Sequence, residues 1–136
     1  MTTNTAQVAP PVRVDPRQVI NSLKQTITWN DAGIATGIAF QNSLPAGANI
    51  MGVLVDIVAA FDGGSVLTIG TVAATYNNIV AAGDVDETTI AATLVPRGLG
   101  RGLTAAADIA PFYMVTGGLT KGSAVVTIMY EGGWAS

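Results

Sequence analysis

The chain contains no cysteine and no histidine in its 136 residues. The first absence excludes disulfides, thiolate metal sites and cysteine nucleophiles. The second removes the commonest general base and a principal zinc ligand. Charge is scarce as well: charged residues make up 11 %, where a soluble domain usually carries about 25 %. Arg13, Arg17, Lys24, Arg97, Arg101 and Lys121 are the only cations, and the net charge is −3. No broad basic face can be assembled from them, so nucleic acid is not expected as a partner. The longest apolar run, residues 50–61, is broken by Asp56 and is too short to span a bilayer, so no membrane is expected either. The N-terminus lacks the basic start and apolar core of a signal peptide.

What is present is apolar: 49 % of residues are hydrophobic, many of them alanine. A length of 136 residues suits one domain with one core. So little charge leaves two readings of the surface. Either it is built from Thr, Ser, Asn and Gly, or part of it is covered by another subunit.

Residues 1–24 differ from the rest. They hold Pro10, Pro11 and Pro16, which favour extended backbone and exclude a regular helix to that point. Asp15-Pro16 is a start signal for a short helical turn through Gln18 to Leu23. This segment is read as an extended N-terminal arm, with residues 25–136 forming a single β-domain. Val12, Val14, Ile20 and Leu23 are its candidate contact residues.

From Gln25 onward, short apolar stretches alternate with turn signals. Gln25–Trp29 alternates, with Ile27 and Trp29 on one face. Residues 35–41 form a second strand candidate. The run from Asn49 to Phe61 follows, then Asp62-Gly63-Gly64 and a strand over 65–71. That layout predicts a β-hairpin. In the long strand Met51, Val53, Val55, Ile57, Ala59 and Phe61 share one face, taken as core. Ile50, Leu54 and Val58 on the other face ask for a cover. Residues 72–87 lose the alternation and read as a loop with a helical piece near 77–81. A weak strand is expected over 88–95, a Gly-rich loop over 96–102, and strands over 111–116 and 123–130. The turn at 117–122 makes the last two a second predicted hairpin. About seven short strands, with no amphipathic helices between them, predict an all-β, jelly-roll-like antiparallel β-sandwich.

Chemistry is sparse. Asp84, Asp86 and Glu87 are the best candidates for an acid–base pair or a cation loop, but the twelve-residue calcium pattern is missing, and a solvated acidic loop is the simpler reading. Gly98 to Gly102 lacks the strand-to-helix setting of a phosphate loop. Asp62 reads as a turn residue. Asp56 reads as either solvent-facing or the polar mark of an interface. Trp29, Trp134, Tyr76, Tyr113 and Tyr130 are too scattered to suggest a sugar platform. No catalytic residue, cofactor or metal is expected.

Residues 44–71, LPAGANIMGVLVDIVAAFDGGSVLTIGT, resemble a segment of small tailed-phage virion proteins: a Pro-Ala-Gly turn, a long strand, an aromatic residue, a Gly-rich turn and a strand ending in Gly-Thr. Residues 115–130, VTGGLTKGSAVVTIMY, are similar to the closing segment of the same group. The resemblance is to capsid cement or decoration proteins. It implies a jelly-roll-like sandwich bound outside the major capsid protein lattice as a dimer or trimer, made in the host cytoplasm and carried on the virion. The candidate contacts under this resemblance are Val12, Val14, Ile20 and Leu23 of the arm, Ile50, Leu54 and Val58 of the long strand, Arg97 and Arg101 of the Gly-rich loop, and Trp134. Residues 72–110 do not support the match. The alternatives are another virion part, such as a head fibre base or tail protein, and a surface glycan-binding module.

Overall fold

The computed structural model describes residues 20–96 and 107–132. Seven strands form: β1 (Ile20–Thr28), β2 (Ile38–Ala39), β3 (Ala48–Ala59), β4 (Val66–Gly70), β5 (Ala92–Pro96), β6 (Phe112–Thr116) and β7 (Ser123–Gly132). They make two antiparallel sheets, one in the order β1-β7-β3-β5 and one in the order β2-β6-β4. The expected all-β sandwich is therefore what the chain adopts.

The pairing is nested. β1 pairs with β7, β2 with β6 and β3 with β5. β4 pairs on its outer side with a single bridge residue, Val80. This is a long hairpin folded over on itself, which is the jelly-roll path. The Ile69–Val80 bridge, with N–H···O bonds of 2.9 and 3.0 Å in the two directions, stands where an eighth strand would lie.

The nesting overturns both predicted hairpins. β3 and β4 belong to different sheets, and so do β6 and β7. The Gly-rich turns are thus arches that carry the chain across the sandwich. A two-residue turn between β3 and β4 would have placed their apolar faces side by side. The longer connection 60–65 places them opposite each other instead. Val53, Val55 and Ile57 of β3 share the core with Leu67 and Ile69 of β4, and Val115, Ala124, Val126 and Ile128 complete it.

The two arches are neighbours, because β3 pairs with β7 and β4 with β6. Phe61 turns inward from the first arch and is buried. It packs against Gly122 of the second, where φ is +125° and an added Cβ would fall 2.9 Å from Phe61 Cα. Gly117 has φ +119°, and an added Cβ would lie 2.8 Å from Ser65 Cα. Only glycine meets both demands, a positive φ and backbone contact.

The face assignment of β3 also changes. A register shift between Ile50 and Gly52 leaves Met51 as the extra residue of a β-bulge. The bulge reverses the alternation, so Ile50 is 1 % exposed and Met51 points out. A second shift between Ile57 and Ala59 leaves Ala59 exposed while Phe61 returns to the core. At the start of the described chain, Ile20 to Leu23 lie in strand β1 rather than in a helical turn. Ile27 is buried as expected, whereas Trp29 lies past the strand end and is exposed. No helix forms near 77–81.

Gly122→Ala and Phe61→Ala are both expected to destabilise the domain, the second by about 3–5 kcal/mol as for other buried aromatic truncations. Urea unfolding of each variant measures the loss. A Gly122→Ala variant as stable as the parent would contradict the packing of the arches.

Candidate docking surfaces

The carboxylates expected to form a solvated acidic loop have separate structural tasks. Asp84 accepts from the Ala81 N–H at 2.9 Å and closes its own turn. Asp86 accepts from the hydroxyls of Thr88 and Thr89, at 2.7 and 2.8 Å. Glu87 departs from the expectation: it is buried, and its carboxylate accepts from the Leu67 N–H at 2.9 Å. Its carbonyl accepts from the Phe61 N–H. Residue 87 thus ties the 81–91 loop to the first arch and to β4. Among the described residues no group of acidic side chains is placed to hold a metal ion.

Asp62 is a turn residue, and its reach extends to the other arch. It accepts from the Thr120 hydroxyl at 2.7 Å, from the Lys121 N–H at 3.2 Å and from the Thr120 N–H. The Thr120 N–H, then its hydroxyl, hold the Asp62 carboxyl below its ordinary value of 3.8. The hydroxyls of Thr88 and Thr89 do the same for Asp86.

The aromatic rings do not gather into a platform. Tyr113 is a core residue packed edge-on to Phe40 at 5.9 Å, and its hydroxyl donates to Asp31 at 2.8 Å. Burial first, and Asp31 second, raise its pKa far above the usual phenol range. Tyr76 stacks on Phe112 with centroids 4.7 Å apart, so each ring occupies a face of the other.

The contact candidates separate into three groups. Leu23, 5 % exposed, and Ile50 are core residues and are withdrawn from the contact set. Both belong to the hydrophobic core cluster, which is the cover that Ile50 was expected to need. Ile20, Leu54 and Val58 are exposed. Val12, Val14, Arg97, Arg101 and Trp134 lie outside the described residues.

The exposed group belongs to a larger surface, the outer face of the four-stranded sheet. The register aligns Lys24, Thr127, Leu54 and Leu94 in one row across the four strands. Thr26, Val125, Asp56 and Ala92 form the next row, and Ser22, Met129, Gly52 and Pro96 the row on the other side. Leu54 is 37 % exposed and Leu94 59 %. An added Cβ on Gly52 would meet Met129 Cε at 3.5 Å and Leu94 Cδ1 at 3.7 Å, so these side chains converge over the glycine. Leu94 was missed as a contact residue. It lies in a weakly patterned stretch, and only the pairing of β5 with β3 sets its direction.

The outer face of the three-stranded sheet is different. None of the outward positions of β4 and β6 is exposed. The 71–80 connection folds over that side, with Tyr76 on Phe112 and the Asn78 side chain bonded to Thr71 at 2.8 and 3.0 Å. One outer face is thus covered by the 71–80 connection, and the other has no cover among the described residues.

No protein-family model matches the chain, and no curated protein matches it. Two solved structures share its fold. One is from the acidic stable capsid structure of Helicobacter pylori bacteriophage KHP30, with TM-score 0.54 and 16 % identity over 83 % of this chain and 87 % of that one. The other is from the cyanophage Pam1 capsid asymmetric unit, with TM-score 0.53 and 20 % identity over 95 % of this chain and 96 % of that one. At these identities the common property is the β-sandwich fold.

Folding favours ionised Asp62 and Asp86, since their folded pKa values lie below the ordinary one. Their contribution is complete above the ordinary carboxylate value and is lost as pH falls through the lower folded values. Stability measured by urea unfolding should therefore fall on acidification, from about pH 4 downward. Asp62→Asn should flatten part of that fall, and the further change Asp86→Asn more of it. Glu87→Ala, which leaves the buried Leu67 N–H unpaired, should cost about 1–3 kcal/mol at neutral pH.

Proposed function

We propose that this protein is a non-enzymatic structural component of a phage virion. It binds the outside of the major capsid lattice as a cement or decoration protein. The observation that carries the reading is the likeness to the Pam1 capsid chain, which runs end to end through both chains rather than through one motif. The KHP30 capsid chain supports it with the same fold. The chemistry agrees: histidine and cysteine are absent, Asp84 and Asp86 bond the backbone and hydroxyls of their own loop, and Glu87 bonds the Leu67 N–H of β4.

Such a protein needs surface rather than catalysis. It binds the assembled lattice and not its unfolded parts, so it stabilises the particle by mass action. The contacts proposed for the lattice are the arm residues Val12 and Val14, Ile20 at the start of β1, Arg97 and Arg101 of the Gly-rich loop, Val58 of β3, and Trp134. Residues 1–19 serve as the arm, and the sandwich that begins at Ile20 is the body. The protein occurs on the capsid surface as a dimer or trimer, without nucleic acid, after synthesis in the host cytoplasm.

Quantitative mass spectrometry of purified virions that carry this chain tests the reading. Cement requires a copy number comparable to that of the major capsid protein. A dozen copies or fewer would point to a head fibre base or tail component instead. Purified protein added to particles stripped of it should raise their disruption temperature. Removing residues 1–19 should weaken rebinding while leaving the sandwich folded.

A further inference from the structure

We infer that the outer face of the four-stranded sheet, which has no cover among the described residues, is a homotypic docking surface, whose occupant is the same face of a second copy of this chain. The inference does not rest on the capsid reading. It rests on three properties of the face.

The first is the uncovered apolar centre. Leu54, Leu94, Val125 and Met129 adjoin one another across β3, β5 and β7, and the β-bulge adds Met51 to the same side. A sheet with one wet face normally alternates apolar-in with polar-out. Here β5 is apolar along its outward side and β3 and β7 are mixed, with Thr127, Asp56 and Glu131 among Leu54, Val125 and Met129, while β1 supplies the polar margin of Ser22, Lys24 and Thr26.

The second is the charge pattern. Lys24 is the one cation on this face among the described residues, and Asp56 and Glu131 are its carboxylates. Neither the Lys24 nor the Asp56 side chain has a hydrogen bond or ion pair among the described residues. The two sit on opposite sides of β7 and one row apart, so they do not meet within one copy. A two-fold axis parallel to the sheet and about 5 Å above it, passing over β7 between Thr127 and Val125 and perpendicular to the line from Lys24 to Asp56, exchanges their positions. Stacking two faces about that axis sets Lys24 of each copy against Asp56 of the other, giving two equivalent pairs. On the ordinary spacings of strands and residues the same operation brings Leu94 of each copy onto Met129 of the other. A surface that carries its own complement in this way is suited to an isologous contact. An unrelated protein would have to supply both charges and a matching apolar ridge.

The third is shape and extent. A four-stranded sheet face packs on another at about 10 Å, as the two layers inside a sandwich do. The face offers fewer outward positions than the roughly 20–30 residues per side of a standard interface. The expected complex is therefore a reversible dimer with a dissociation constant on the order of 10–100 µM.

The test uses the purified full chain in sedimentation equilibrium across that concentration range. The parent should show a monomer–dimer equilibrium. Lys24→Glu and Asp56→Lys should each raise the dissociation constant about tenfold or more, since each sets like charges together twice. The double variant, Lys24→Glu with Asp56→Lys, should restore the parent value, because it only swaps the pair. Leu94→Asp should abolish association, and circular dichroism should show all variants folded. A parent that stays monomeric throughout the range overturns the proposal, as does a double variant no tighter than the singles. Failure here leaves the virion copy number untouched, so the two readings stand or fall separately.

Discussion

The structure depends on two chain crossings that lie side by side. β3 passes to β4 and β6 passes to β7 through Gly-rich arches, and Phe61 in one arch packs against Gly122 in the other. Asp62 then holds Thr120 and Lys121 across the gap. Because β3 pairs with β7 and β4 with β6, the spacing of the two sheets at this end is set by both arches together. A side chain at Gly122 would strike Phe61, and a shorter turn at 60–65 would return β4 to the sheet it left. Nesting of the remaining strands, β1 on β7, β2 on β6 and β5 on β3, follows from that arrangement.

The sandwich solves its two outer faces differently. The three-stranded sheet is overlaid by the 71–80 connection. The four-stranded sheet has no such overlay among the described residues, and it exposes Leu54 and Leu94 side by side. Asp84, Asp86 and Glu87 are engaged in hydrogen bonds in and around the 81–91 loop. The charge on the open sheet is sparse enough for a single lysine and a single aspartate to define an orientation.

The strands themselves were legible from short apolar runs and Gly-rich breaks. Their partners were not. Asp62-Gly63-Gly64 is the same signal whether the chain returns beside itself or crosses to another layer. The choice depends on Phe61 finding a buried site, which only the second arch provides. Alternation along β3 correctly placed Val53, Val55 and Ile57 inside, and Leu54 and Val58 outside. It misplaced Ile50 and Met51, because a bulge is created by the register against β7 and leaves no mark in the strand's own residues. Leu23 failed for a related reason: the prolines before it signalled an arm, while its pairing with Ile128 of β7 draws it into the core. Glu87 looked like its acidic neighbours until the Leu67 N–H was placed beside it.

The sequence by itself determined an all-β domain, ruled out chemistry that needs histidine or cysteine, and located an apolar surplus on the long strand. These properties are local: they follow from residue type, from period-two alternation and from which side chains are absent. Tertiary structure alone decided that the two Gly-rich turns cross between sheets, that Ile50 is core and Met51 surface, and that Leu94 joins Leu54 on an open face. Each of these depends on which distant strand lies alongside, and strand partnership is set by the mutual burial of residues far apart in the chain.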